Sequence, residues 1–399
     1  MLRRVIPWVV LLVGCDGSTA VDAGVERDAA PLTDAGVDGG GEPVRPTLGV
    51  YSEFLAPDAV EATLPALAAR SATLQVAVPS TAIGDASLLG LLRAAEAASV
   101  DVRLWLLLPQ ADGYWPNEAN LDVFFGEVTR LLDWIEGEGA VAAGVVYDLE
   151  PAFEYSEALR VGFAEGSLEG LQSLMRSHLD PVAFAASRDQ LAAHVREVQA
   201  RGYRAEAVTY PQVVDDMADG DADLQDALDI PVDGVPFDDV AFMVYQTVFA
   251  EARGAWVGPG LIRSYGVDAR AHFGDRATLA LGLVGTASVV ELDAPPYDAP
   301  AQLAGDVAAA LGAGITRVEV YSLDGMVELD AVEAWLGATE AVPGTPSIEP
   351  EARVVRGAAL IPARRISSRC GARGLARPCR AASRSRAARA ARRPRAPRA

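Results

Sequence analysis

Ala142-Ala-Gly-Val-Val-Tyr-Asp-Leu-Glu-Pro151 is an apolar run that ends in two carboxylates, Asp148 and Glu150, two residues apart. Side chains alternate faces along a strand, so both acids point the same way. A run this apolar reads as a strand covered on both faces, which is the habit of parallel sheets. Pro151 ends it, because proline brings no N–H to the ladder.

Seven similar runs flank it. With Gly144 to Glu150 as the fourth, the strand candidates are Thr47 to Phe54, Thr73 to Pro79, Val102 to Pro109, Ala205 to Tyr210, Val240 to Thr247, Thr278 to Gly285 and Arg317 to Leu323. Between them the apolar period changes to that of helices, as in Ala59 to Arg70, Ala86 to Ala98, Leu121 to Gly137, Arg188 to Gly202 and Ala301 to Ala313, with Asp330 to Leu336 closing the series. Gly202 and Gly314 stand where helix C-caps belong. Eight strand-and-helix units in about 290 residues predict one α/β domain, a single (β/α)8 TIM barrel over 47–340. The alternative, a doubly wound open sheet, usually shows a glycine-rich turn after its first strand. Here that strand runs into Ser52-Glu-Phe-Leu-Ala-Pro57, which has no glycine.

Barrels place their chemistry at strand C-termini and the loops beyond. Those positions hold Tyr51 and Glu53 on strand one, Asp148 and Glu150 on strand four, Tyr210 on strand five, Tyr245 and Gln246 on strand six, and Tyr321 and Asp324 on strand eight. Trp115 follows strand three in the loop Asp112-Gly-Tyr-Trp-Pro116. Carboxylates among aromatics suit sugars, whose ring faces stack on aromatic surfaces and whose glycosidic oxygens need an acid to leave. The plainer readings of the same residues are a solvated strand end for Asp148 and Glu150, a surface charge for Glu53, and core or rim packing for the tyrosines.

These strands resemble those of family 18 glycoside hydrolases, the chitinase-like barrels. In that family the fourth strand ends Asp-x-x-Asp-x-Asp-x-Glu; Glu150 matches the final acid and Asp148 the assisting residue, while Ala143 and Val146 stand at the two earlier Asp positions. The sixth-strand Met-x-Tyr-Asp is matched by Met243-Val-Tyr-Gln246, with Gln in place of Asp. Leu279-Ala-Leu-Gly-Leu283 resembles the seventh strand and Val318-Glu-Val-Tyr-Ser-Leu-Asp-Gly325 the eighth, with Tyr321 where a tryptophan floor usually stands. The resemblance implies a glycosidase in which Glu150 is general acid and then base, Asp148 orients the 2-acetamido group of an N-acetylated polysaccharide, and Tyr245 holds that group. Tyr51, Glu53, Trp115, Tyr210, Gln246, Tyr321 and Asp324 are the expected substrate contacts. Two other readings stay open: a lysozyme-like peptidoglycan hydrolase, where an Asp-x-Glu strand end also occurs, and an inactive glycan-binding barrel, favoured by the missing Asp positions.

The composition removes several chemistries. All 34 basic residues are arginine, and Schiff-base, pyridoxal and P-loop chemistry all need lysine. His178, His194 and His272 fall in predicted helices or their ends, away from strand C-termini, which speaks against a histidine metal centre or a Ser–His pair. No metal site and no cofactor is therefore expected. The expected partner is an oligo- or polysaccharide, with no nucleic acid.

At the N-terminus, Met1-Leu-Arg-Arg and the apolar run Val5 to Val13 form a secretory signal too short to span a bilayer. Leu12-Val-Gly-Cys15 resembles a bacterial lipobox, implying cleavage after residue 14, lipid on Cys15, and a cell-envelope location, periplasmic or surface-exposed, with membrane contact through the lipid alone. Residues 15–46 read as a disordered acidic tether. Residues 341–399 read as a disordered basic tail. From 351 onward it holds 15 of the 34 basic residues and one of the 55 acids, leaving 19 basic against 54 acidic residues, a formal −35, elsewhere. Such a body repels nucleic acid and anionic polysaccharide. The tail, mostly Arg, Ala, Pro, Gly and Ser, reads as an appendage without function, with a shifted reading frame as one origin.

Overall fold

The computed structural model describes residues 42–164, 168–253, 256–285, 296–348 and 350–359. Among them eight parallel strands close a barrel in sequence order: β1 (Thr47–Ser52), β2 (Thr73–Pro79), β3 (Val102–Leu107), β4 (Gly144–Leu149), β5 (Arg204–Thr209), β6 (Asp239–Met243), β7 (Ala277–Gly282) and β8 (Arg317–Tyr321). Pairing of β1 with β8, Tyr51 opposite Tyr321, shuts the ring. Each expected strand is present and the (β/α)8 barrel is the fold. Cys15, the signal segment and the tail beyond 359 lie outside the described residues.

The outward strand faces and the helices share the apolar core. The helix Leu121–Gly137 buries Leu121, Phe124, Val128, Leu131, Leu132 and Ile135, one stripe at helical spacing, against outward residues such as Val145 and Tyr147. Each such side chain contributes roughly 1.5–3 kcal/mol on leaving water. Gly202 (φ 94°) and Gly314 (φ 84°) take the left-handed conformation that ends a helix.

Every strand but β2 stops one to four residues before its expected end, and two of these stops move site residues into helices. β6 ends at Met243 and Gln246 opens the helix Gln246–Arg253; β8 ends at Tyr321 and Asp324 lies in the first turn of the helix Leu323–Glu328. Apolar character continues across both boundaries because the first helical turns are themselves buried, so the sequence pattern shows no break. Ser322, whose hydroxyl caps the second helix by accepting from the Gly325 N–H, marks the true start.

The unstructured tail expected from residue 341 is corrected over 341–359. Ala341 bridges Val44 in antiparallel fashion, and Gly344 N–H donates to the Ala308 carbonyl at 2.8 Å. The helix Pro350–Ala359 then packs on the helices Gln212–Asp219 and Pro259–Phe273. Its anchor is Arg356. The guanidinium bonds Asp215, donates to Ser264 Oγ at 2.6 Å, pairs with Asp268 at 2.7 Å and lies 4.3 Å from the centre of the Tyr265 ring. A composition rich in Arg and Ala hides this, because one arginine with four partners docks a helix whatever the average character of its neighbours.

Candidate functional site

The inward residues near the C-terminal rim line a tight, partly open pocket whose walls are Tyr51, Glu53, Trp105, Trp115, Asp148, Glu150, Val208, Met243, Tyr245 and Tyr321. Strand alternation brings them together: parallel neighbours in register, Asp148 with Val208 and Tyr51 with Tyr321, face the same way. Tyr51, Trp115, Asp148, Glu150, Tyr245 and Tyr321 are all 3% exposed or less, so the site is a walled chamber rather than an open groove.

The carboxyls are held by tyrosines. Tyr210 hydroxyl donates to Glu150 Oε2 at 2.5 Å, and the Tyr321 hydroxyl to Glu53 Oε2. Tyr114, held at φ 66°, directs Trp115 into the wall and donates to Glu53 Oε1 at 3.3 Å. Its ring stands edge-on to Trp115 at 4.8 Å, and Trp115 stacks on Phe153.

Burial pushes the Glu150 carboxyl up to about 8, opposed by the Tyr210 hydroxyl and assisted by the nearby charge of Glu53. Asp148 is driven well above the carboxylate range by burial, then by the charge of Glu150 and a hydrogen bond with it. Both shifts favour the protonated form of the pair. The indole N–H groups of Trp105 and Trp115 lean the other way and favour the Asp148 anion. Trp105 Nε1 and Asp148 Oδ1 are left as a buried donor and a buried acceptor without partners in the pocket wall. Burial also pushes Glu53 up to about 8, with Tyr321 opposing it. Glu53 keeps an edge open at the mouth, and solvent there tempers that shift.

Seven of the ten expected site residues line the chamber, and Tyr210 stands directly behind Glu150. Two do not belong to it. Gln246 turns away, its Nε2 donating to Asp306 Oδ1 at 2.6 Å and its Oε1 accepting from Gly258 N–H, which ties the turn after β6 to the helix Pro300–Gly312. Asp324 accepts from the backbone N–H groups of Glu53, Phe54 and Leu55 at 3.1, 2.6 and 3.0 Å, so it holds Glu53 in place without facing the pocket.

Trp105, Val208 and Met243 were not anticipated as wall residues. Trp105 had a signal: it lies two residues after Arg103 in β3, on the inward parity that Asp148 and Glu150 follow in β4. The histidines lie elsewhere. His178 Nδ1 is 2.7 Å from Asp229, and His194 stacks on Phe125 with burial pushing its ring down to about 4. No group of three or more His, Cys, Asp and Glu suited to a metal ion occurs among the described residues.

No family model matches the chain, and no curated protein does. Solved structures with a similar arrangement include a class V chitinase from Nicotiana tobaccum, 12% identical over 74% of this chain and 99% of that one with a TM-score of 0.41. A glucosidase from Croceicoccus marinus is 11% identical over 81% and 69% with a TM-score of 0.42. A D-psicose 3-epimerase studied with D-fructose is 10% identical over 78% and 96% with a TM-score of 0.40. Likeness this distant carries no argument about activity, and what stands on the chain's own geometry is a TIM barrel with a carboxyl pair in an aromatic chamber.

Proposed function

We propose that the barrel hydrolyses glycosidic bonds of an N-acetylated polysaccharide, with Glu150 as general acid and then base, Asp148 assisting, and Tyr245 bracing the acetamido group. The observation that carries this is the carboxyl pair, two acids on one strand face, buried where their protonated forms are favoured, in a chamber walled by tyrosine and tryptophan. The unpartnered Trp105 N–H and Asp148 Oδ1 suit an amide, which offers an acceptor oxygen and a donor N–H.

In this reading the Glu150 proton moves to the glycosidic oxygen as the bond from that oxygen to the anomeric carbon breaks. The acetamido oxygen closes on the anomeric carbon, its N–H turned to Asp148. Water then adds to that carbon, reopening the ring and returning a proton to Glu150; substrate assistance of this kind is a known variant of glycoside hydrolysis. The neutral carboxyls also suit a neutral glycan, because an anionic one would meet the field of an acidic body.

The test is incubation of the chain with labelled N-acetylglucosamine oligomers, peptidoglycan and unacetylated glucose oligomers. Cleavage of the N-acetylated oligomers alone is the expected result. Cleavage of peptidoglycan alone moves the assignment to a muramic acid linkage, and saturable binding without cleavage moves it to a glycan-binding barrel. We further propose that Cys15 carries the lipid that tethers this barrel at the cell envelope. Membrane fractionation should lose the protein in Cys15→Ser, and unchanged sedimentation with membranes would remove the anchor.

A further inference from the structure

The layer beneath the chamber is charged, where barrels of this kind are normally filled by branched apolar side chains. Gln75, Arg103, Glu206 and Glu319, from β2, β3, β5 and β8, are all buried. Gly49 makes room for them: a Cβ there would fall 2.7 Å from Glu319 Cγ and 2.9 Å from Gln75 Oε1. Arg103 pairs with Glu206 and, at 3.0 Å, with Asp239; Gln75 Nε2 donates to Glu206 Oε2 at 3.2 Å.

This arrangement orders the protons. Burial works against the Glu206 anion, but the charge of Arg103 and the hydrogen bonds around it outweigh burial and hold Glu206 below its usual range. Glu319 is pushed well up by burial and by the charge of Glu206. Both shifts favour the proton on Glu319 and the charge on Glu206, whose Oε1 no N–H or hydroxyl donor reaches. Glu319 Oε2 then accepts from the Tyr51 hydroxyl. A phenol has one proton and two lone pairs. With its proton committed to Glu319, the Tyr51 hydroxyl has only lone pairs left to offer a group that reaches it from the chamber Tyr51 lines.

We propose that Glu319 is a positioning residue that holds the Tyr51 hydroxyl proton away from the chamber, so that Tyr51 selects a hydrogen-bond donor, a sugar hydroxyl, on the ligand. The inference rests on the glycan reading of the chamber and names one feature of its ligand. The groups facing Glu319 are Tyr51, Gln75, Arg103 and Glu206, with Tyr245 within reach of its charge.

The experiment is calorimetric titration of the N-acetylglucosamine tetramer into the full chain, in a Glu150→Gln background that leaves the sugar intact. Glu319→Met removes the acceptor and frees the Tyr51 proton to turn inward; affinity is expected to fall about tenfold. Glu319→Gln keeps a carbonyl acceptor and should restore most of it. In a Tyr51→Phe background, Glu319→Met should change affinity no further, which a merely structural role would not produce. Equal losses in both backgrounds, or no loss in either, overturn the proposal. Should Glu319→Met fail to fold, proton NMR of the Glu150→Gln chain decides. A deshielded Tyr51 hydroxyl resonance unmoved by the tetramer supports the proposal, and one that moves with the sugar overturns it. Absence of any binding before Glu319 is altered overturns the glycan reading and this selection with it, whereas binding indifferent to Glu319 overturns the selection alone.

Discussion

Glu150→Gln should reduce turnover of N-acetylglucosamine oligomers by about 10²- to 10⁴-fold in kcat, the range spanned by a lost general acid. Glutamine keeps the shape and an oxygen to accept the Tyr210 hydroxyl, which lies 2.5 Å from Glu150. What disappears is the transferable proton, so binding should survive with little change in KM. The fold should survive too. Glu150 is 1% exposed, and burying its anion opposes folding once the carboxyl ionises, a cost the amide does not carry. The variant should therefore match the parent most nearly in thermal stability near pH 4 and gain on it progressively as pH rises from about 4.5 to about 8. Undiminished cleavage by Glu150→Gln in a steady-state assay would remove Glu150 from its role.

The stability of the chain should fall as pH rises from about 5 to 9. Burial raises Glu53 and Glu150 to about 8, Asp216 and Asp306 to about 7, and Asp148 and Glu319 well above their usual values. A carboxyl whose folded-state value is raised binds more protons in the folded than in the unfolded chain between the two values, so unfolding free energy declines with pH there. The stabilisation is complete below the unfolded value near 4.5 and is lost as pH passes the folded values. At about 1.4 kcal/mol per unit for each fully buried group, and less for Glu53 with its edge in solvent, the combined loss should reach at least about 3 kcal/mol. Glu206, held low beside Arg103, acts in the opposite sense only below the ordinary carboxylate range. Urea unfolding across this window measures the slope; a flat or rising midpoint would show that the chamber carboxyls are ionised in the folded protein. Activity should follow the same limb, declining as pH rises through about 8, where Glu150 loses its proton.

The barrel was legible because its strands are apolar on both faces and its helices carry one apolar stripe, two periods that do not mimic each other. The site was legible through parity. Asp148 and Glu150 share a face by alternation alone, and Tyr51, Tyr245 and Tyr321 reach the chamber because parallel register carries that parity around the ring. What parity does not reveal is where a strand stops. Gln246 and Asp324 followed apolar runs and read as strand ends, but both belong to helical first turns whose burial prolongs the run. Trp105, Glu206 and Glu319 lie on inward positions as well. Charges inside apolar strands, as in Ala205-Glu-Ala-Val208, gain meaning only when partners from other strands, here Arg103 and Gln75, arrive beside them. Arg356 is the same case, a single cation whose partners Asp215 and Asp268 are more than eighty residues away.

The central claim is that Asp148 and Glu150 act as a substrate-assisted pair, and the configuration of the first product measures it most directly. Proton NMR of a freshly started digest of N-acetylglucosamine oligomers should show the β-anomer accumulating ahead of mutarotation, since two displacements at the anomeric carbon restore its configuration. Initial release of the α-anomer would mean that water attacks directly with no acetamido intermediate, and it would contradict the role assigned to Asp148.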